Sequence, residues 1–298
     1  MLDKKKVAVV AIIGRPSSGK STFLNTACQE PVSIVSAIPQ TTRGAIRGIV
    51  NTSLGQLVFI DTPGYHSSEK KLNLRLRSVT QEQLQDADEI LYIIDSTRSA
   101  KEEELLIADL IRPYASRTVV AINKCDLSES KAEDAKKFIN EHLPEISEDR
   151  IIAMSAKEDE NINDVLKALY EIAPRGEALY PIEYYTDQDV GFRISEIIRG
   201  EAINRLQDEI PHCVYVSIAD LEMKKNGTLL WVRAFLCVER ESQKGIVIGK
   251  NASMIKEIRL ASLKKLDEIF DYKIDLDLQV KVDKNWRQKD SVIKKITQ

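Results

Sequence analysis

Gly14-Arg15-Pro16-Ser17-Ser18-Gly19-Lys20-Ser21, followed by Thr22, is the stretch on which the reading of this chain turns. It fits the pattern Gly-x4-Gly-Lys-Ser/Thr, and it lies between the apolar run 7–13 and a segment of helical character. Two glycines let the backbone curl so that its N–H groups face a chain of phosphates. The following helix N-terminus adds its own donors and dipole. Lys20 is placed to reach the outer phosphates, and the Ser21 hydroxyl to ligate Mg²⁺.

Outward from this loop, short apolar runs recur at 57–60, 90–94, 118–122 and 151–154. They are rich in Val and Ile, lack clean alternation, and end in polar turn residues, as expected of strands covered on both faces. Helical stretches at 81–85, 102–111, 131–142 and 162–172 fall between them. Strand and helix in alternation predict an α/β domain with a mostly parallel sheet.

A phosphate loop alone does not choose a base. Asn123-Lys124-Cys125-Asp126 follows the run 118–122, so its side chains are expected at the carboxyl edge of the sheet, where ligands of open α/β sheets bind. Guanine presents N1–H and the N2 amine as adjacent donors, and the Asp126 carboxylate accepts both. Adenine presents an acceptor at N1 and would be repelled. The aliphatic stem of Lys124 is suited to lie over the base. Asp61-Thr62-Pro63-Gly64 closes the run 57–60: a carboxylate to hold the Mg²⁺ water shell, and a Gly64 N–H to sense a γ-phosphate. Ser155-Ala156-Lys157 follows the last run and offers a backbone N–H to guanine O6.

The alternation ends near Ala173. The stretch 174–191, with two prolines and two glycines, has no helical period and places a linker here, so the expected division is 1–173, linker 174–190, and 191–298. In the second part, 192–207 reads as helix. Then come a strand pair, 213–222 and 228–239, turning at Lys225-Asn226-Gly227, a Gly-containing loop, a helix over 253–270, a strand 273–282 and a basic tail.

Bulk properties agree with an ordinary globular chain of two domains: 298 residues, 43% hydrophobic and 30% charged. The net charge of −3 divides unevenly. From Gly191 onward there are 20 Lys+Arg against 16 Asp+Glu, leaving 23 against 30 in the remainder, or +4 beside −7. That asymmetry suits a polyanionic partner for the second part. The four cysteines (Cys28, Cys125, Cys213, Cys237) form no Cys-x-x-Cys pair, which argues against a zinc site and fits a reducing cytosol. The apolar run at the amino terminus is too short for a signal peptide, and no stretch approaches the ~20 apolar residues of a membrane span.

Five motifs, GRPSSGKS, IPQTTRG, DTPG, NKCD and SAK, resemble the G motifs of translation-factor-related GTPases, and PQTTR is typical of the Era family. Downstream, IVIGKN, the helix after it and VKVDKNWR resemble the carboxyl-terminal KH domain of that family. The resemblance spans nearly the whole chain. It implies a P-loop GTPase domain followed by a smaller α+β KH domain of type II. It also implies GTP/GDP and Mg²⁺ as cofactors, and a cytoplasmic monomer with room for peripheral contact on the inner face of the membrane. The implied role is binding the 3′ region of small-subunit ribosomal RNA and assisting maturation of the small ribosomal subunit. The Mg²⁺-ligating switch threonine maps to Thr42, with Thr41 as the alternative, which makes Ser21, Thr42 and Asp61 the metal set. Lys20, Thr42 and Gly64 would be the hydrolytic set. RNA would be held by Gly249, Lys250, Asn251, Ala252 and Lys256. The rival reading of the second part is a GTP-controlled scaffold for protein or membrane.

Three departures from the family pattern bear on function. Ser17 stands where the family usually has an Asn that helps hold a potassium ion in related GTPases. Tyr65 follows DTPG where a smaller aliphatic residue is usual. It cannot orient water as a Gln does, so a slow intrinsic rate is expected. His66 beside it reads as a switch residue rather than a base. Finally, Gly249-Lys250-Asn251-Ala252 replaces the GXXG that clamps backbone nucleotides, with Ala at the last glycine. From Lys244 to Lys265 there are five Lys and one Arg against one acid, Glu257. Ile255, Ile258, Leu266 and Ile269 keep helical spacing and read as core.

Overall fold

The computed structural model describes residues 5–36, 38, 41–64 and 71–297. Contacts divide the chain into two compact units. One comprises Met1–Ser33, Thr42–Asp187 and Thr297–Gln298; the other comprises Ile34–Thr41 and Gln188–Ile296.

The first unit runs β1 (Lys6–Ile13), α1 (Lys20–Cys28), β2 (Ile46–Asn51), β3 (Gly55–Asp61), α2 (Lys71–Asp86), β4 (Glu89–Asp95), α3 (Glu102–Ile111), β5 (Thr118–Asn123), α4 (Ala132–His142), β6 (Ile151–Ala153) and α5 (Ile162–Ile172). Its sheet has the order β2-β3-β1-β4-β5-β6. All neighbours are parallel except β2, which runs antiparallel to β3. The two alternating sets of strand residues are both buried. Tyr92, Ile94, Val120 and Ile122 meet Ile107 and Ile111 of α3 and Phe138 and Ile139 of α4. Leu91, Ile93, Val119 and Ala121 are also buried, and Phe23 of α1 meets Phe59 of β3 edge-on at 5.5 Å. Two covered faces explain the unbroken apolar strands.

The stretch read as a linker is a correction. Residues 174–187 belong to the first unit, laid along its edge strand. Gln56 receives the N–H groups of Leu179 and Tyr180 and donates to the Tyr180 carbonyl. Asn51 donates to the Ile182 carbonyl, and Ile49 N–H to that of Tyr185. Prolines and glycines there signal irregular backbone, which pairs with a sheet edge as readily as it floats free.

The second unit runs α6 (Val190–Ile203), β7 (Tyr215–Lys224), β8 (Leu229–Val238), α7 (Glu241–Ile248), α8 (Ser253–Ile269), β9 (Lys273–Val282) and α9 (Asp290–Ile296). Asp189 caps α6 by accepting from Phe192 N–H at 2.9 Å, an interaction worth about 1 kcal/mol. β7 is antiparallel to β8, and β9 runs parallel to β8. Ile194, Ile198, Ile258 and Leu266 pack on Val232, Ala234, Leu236 and Leu276 to form the core. The segment Ile34–Thr41 counts with this unit: Ile38 packs against the core, and Arg199 donates to the Thr41 carbonyl at 2.6 Å. Trp286, fully buried, donates from Nε1 to the Cys213 carbonyl at 2.9 Å and fastens the chain end to the start of β7. Part of the glycine-containing loop expected between the strand pair and the helix over 253–270 is instead α7. Its first turn is held by Gln243, whose side chain accepts from the N–H groups of Glu239 and Arg240. Among the described residues, no helix is long and apolar enough to cross a membrane.

Candidate functional site

Four loops of the first unit meet at the carboxyl ends of β1, β3, β5 and β6. Gly19, at φ +99°, precedes α1, and a Cβ there would fall 2.1 Å from Nδ2 of Asn123. Only glycine lets the turn approach this closely. Lys20 is buried and donates to the carbonyls of Gly14 (3.1 Å) and Arg15 (3.0 Å), so its ammonium is fixed in the mouth of the loop. Burial pulls its pKa down, opposed by Asp61 and Glu104.

Asp61 ends β3 in full burial, and one of its oxygens collects three hydroxyls: Ser21 at 2.6 Å, Ser33 at 2.9 Å and Thr42 at 3.2 Å. Ser21 and Thr42 are themselves 3.1 Å apart. The other carboxylate oxygen, Oδ1, is buried with no partner among the described residues. Burial raises the Asp61 pKa, against the pull of Lys20 and the three hydroxyls. A cluster of hard oxygen donors with an orphaned anionic oxygen fits Mg²⁺. The structure therefore brings together Ser21, Thr42 and Asp61, and adds Ser33, which no motif of the sequence marks. Thr41, the alternative, instead gives its carbonyl to Arg199.

Thr62 is buried and donates to the Ile12 carbonyl at 2.6 Å, anchoring the loop after β3. Pro63 O receives Thr80, and Gly64 lies directly against Pro16: a Cβ at 64 would come within 2.9 Å of the Pro16 Cα. Tyr65 and His66 lie outside the described residues.

Asn123 ties the loops together. Its Nδ2 donates to the Ser18 carbonyl at 2.8 Å, and its Oδ1 accepts from Ala156 N–H at 2.9 Å. Thr26 of α1 donates to the Ala156 carbonyl at 2.7 Å, and the Ser155 hydroxyl oxygen accepts from Glu158 N–H. Lys124, at φ +66°, sends its ammonium to Asp95 at 2.7 Å, which holds the side chain out along the loop. Burial would raise the Asp95 pKa, but the bonds from Lys124 and Thr97 outweigh it and the carboxyl lies below its ordinary value. Asp126 is exposed, free to meet a base edge, and Lys157 is exposed and paired with Glu158 at 3.0 Å.

Arg15 of the same loop turns its side chain away from the Asp61 cluster. Its side chain is almost fully buried and turned to α3, with Nε 3.0 Å from Glu104, which also receives the Tyr92 hydroxyl. Arg15 thus braces the loop through its side chain and offers the cavity only backbone.

In the second unit, Gly249–Ala252 forms the turn between α7 and α8. Gly249, Asn251 and Ala252 have φ of +74°, +53° and +58°. Lys250, Asn251, Ala252 and Lys256 are all exposed, and neither lysine pairs with an acid among the described residues. Ile258 and Leu266 face the core, with Ile255 partly buried beside them.

A phosphate cradle, a hydroxyl-ringed aspartate and an Asn-Lys-x-Asp base edge on this sheet define a P-loop GTPase, joined here to a unit with the αββααβ order of a KH domain. The sequence model of the 50S ribosome-binding GTPase family matches residues 9–124, and that of the KH domain matches residues 209–287. The chain is 60% identical to the GTPase Era of Treponema denticola over 97% of its length and 98% of that protein. It is 43% identical to the GTPase Era of Borreliella afzelii over 98% and 99%. A crystal structure of Era with MgGDPNP and nucleotides 1506–1542 of 16S ribosomal RNA superposes with a TM-score of 0.91 at 30% identity, covering 97% of this chain and 98% of that one. The chain belongs to the Era family and is a GTP-hydrolysing enzyme.

Proposed function

We propose that the first unit binds Mg²⁺·GTP along residues 14–22, 61–64, Asn123, Lys124, Asp126 and 155–157. We propose further that the second unit binds the 3′ region of small-subunit ribosomal RNA at Gly249, Lys250, Asn251, Ala252 and Lys256, so that GTP turnover paces a step of small-subunit maturation in the cytoplasm. The observation that carries the first part is the Asp61 cluster, with Asn123 joining the phosphate loop to the base loop. The second part is supported by unpaired lysines on a glycine turn at the start of a 17-residue helix, the arrangement that offers N–H donors and charge to phosphate.

In hydrolysis a water oxygen attacks the γ-phosphorus and the bond to the β-phosphate oxygen breaks, giving GDP and phosphate. Lys20 and backbone N–H groups of 17–20 stabilise the charge that moves onto the bridging oxygen. The hydroxyls of Ser21 and Thr42 and, across water, the Asp61 carboxylate would hold Mg²⁺, which would supply positive charge beside the phosphates. Thr42 and Gly64 lose their contacts when the γ-phosphate leaves, and their segments relax.

Crosslinking the purified protein to cellular RNA and sequencing the bound fragments tests the reading. Enrichment of the 3′ region of small-subunit ribosomal RNA is expected. Retention of no RNA would make the second unit a scaffold for protein or membrane.

A further inference from the structure

Lys20 is committed to the carbonyls of its own loop, and Arg15 is buried against Glu104 and Tyr92. A third cation stands beside the same loop. Arg98 follows β4, is exposed, and extends Nη1 to the Pro16 carbonyl at 3.4 Å. It pairs with no carboxylate among the described residues. Pro16 is also the residue whose N, Cα and ring lie against Gly64, so Arg98 reaches the phosphate loop at the residue that meets the γ-sensing loop.

The segment that carries Arg98 is fastened at several points. Ser96 N–H donates to the Asn123 carbonyl (3.1 Å), and Lys131 N–H to that of Ser96 (2.8 Å). Thr97 gives both its N–H and its hydroxyl to Asp95. Arg15 Nη1 reaches the Ser99 carbonyl, so loops 15–16 and 98–99 exchange arginines. A guanidinium is thus presented beside Pro16 on a fixed backbone, with one long bond to a neutral acceptor and a longer-range attraction to Glu104. Phosphate oxygens form shorter, charge-assisted bonds and would take it from that carbonyl.

We propose that Arg98 is a catalytic residue of GTP hydrolysis: a cation supplied in cis that meets the γ-phosphate oxygens as the bond to the β-phosphate oxygen breaks. It forms no covalent bond and moves no proton; it stabilises charge in the transition state. The proposal rests on the placement of GTP given above.

The test compares the full-length parent with Arg98→Ala and Arg98→Lys in single-turnover GTP hydrolysis, in affinity for GDP and a non-hydrolysable GTP analogue, and in affinity for GDP with aluminium fluoride. Arg98→Ala is expected to slow hydrolysis ~10²–10³-fold and to lose the extra affinity that aluminium fluoride confers. GDP affinity should stay within about twofold, Arg98→Lys should recover part of the rate, and added guanidinium ion should partly rescue the alanine variant. Hydrolysis by Arg98→Ala within threefold of the parent overturns the proposal. So does a rate loss matched by an equal loss of analogue affinity, since that marks a brace on Pro16. A parent that binds no GTP would instead sink the placement of the nucleotide.

Discussion

The phosphate loop and the loop at 249–252 are both glycine turns that open a helix, yet they are built in opposite ways. In the first, several of the polar groups are met by another strand end: Ser18 and Ala156 by Asn123, Ser21 and Thr42 by Asp61, Lys124 by Asp95. In the second, the turn is exposed, three residues hold positive φ, and its lysines face water. One site gains specificity from a closed set of bonds, and so leaves a strict motif. The other gains affinity from charge and close backbone approach, and so leaves a loose one.

The largest expected effect lies at the base edge. Asp126→Asn puts a donor where guanine N1–H needs an acceptor. Two charge-assisted bonds at about 1.5–3 kcal/mol each correspond to a loss of GTP affinity of roughly a hundredfold or more. Xanthine nucleotide, with a carbonyl at C2, should be tolerated. Equilibrium titration with both nucleotides checks it, and unchanged GTP binding would mean that the base sits elsewhere.

Buried acids sharpen the same contrast in the other direction. Glu201 of the second unit is met by Arg205 and by Lys265 at 2.5 Å. Glu89, at the amino end of β4 and 2% exposed, has neither oxygen partnered among the described residues. Burial, with a smaller push from Asp88, lifts its pKa to about 8. Its folded value therefore lies above its unfolded one. The stability it contributes is full below about pH 4.5 and is lost as pH rises to about 8. Glu89→Gln should match the parent near pH 5 and exceed it by a few kcal/mol at most above pH 8, as read by urea denaturation at both pH values. Parallel curves at the two pH values would show that Glu89 is charged in the fold.

At the exposed loop the effects shrink. Lys250→Ala should weaken binding to RNA of any sequence and reduce the slope of log affinity against log salt by about one. A loss confined to one sequence would mean that Lys250 reads a base.

What the sequence revealed follows the same division. The strand ends and their motifs were legible because each motif closes an apolar run. The edge strand β2 was not, because IRGIVN lies on an antiparallel edge and carries a glycine and an arginine. Nor was most of α2, sixteen residues in which Leu72, Leu74 and Leu76 alternate with polar residues and blur the helical spacing of the buried Leu72, Leu76 and Val79. Helix α7 was hidden by Gly245, Gly249 and a length of eight residues. Ser33 left no signal at all, since a lone serine bonding a carboxylate 28 residues away has no local pattern. The side-chain partner of Arg15 was hidden for a related reason: its place in the motif says nothing of Glu104.

The smallest effect, and the sharpest test of how the second loop is built, is at Ala252. Its φ of +58° and ψ of +27° put an L-residue in the left-handed region at the N-cap of α8. There a Cβ crowds the following carbonyl at a cost of about 1–2 kcal/mol. Glycine removes that cost but gives the unfolded chain more freedom, which returns roughly 0.5–1 kcal/mol. Ala252→Gly should therefore stabilise the fold by no more than about 1.5 kcal/mol, seen as a higher urea midpoint with an unchanged slope. RNA affinity should be equal or tighter, because the missing methyl clears the way for backbone to approach phosphate. A glycine variant that is less stable, or that binds RNA more weakly, would show that the alanine methyl makes a contact of its own. The turn would then resemble the phosphate loop, built on specific partners, rather than stand as its opposite.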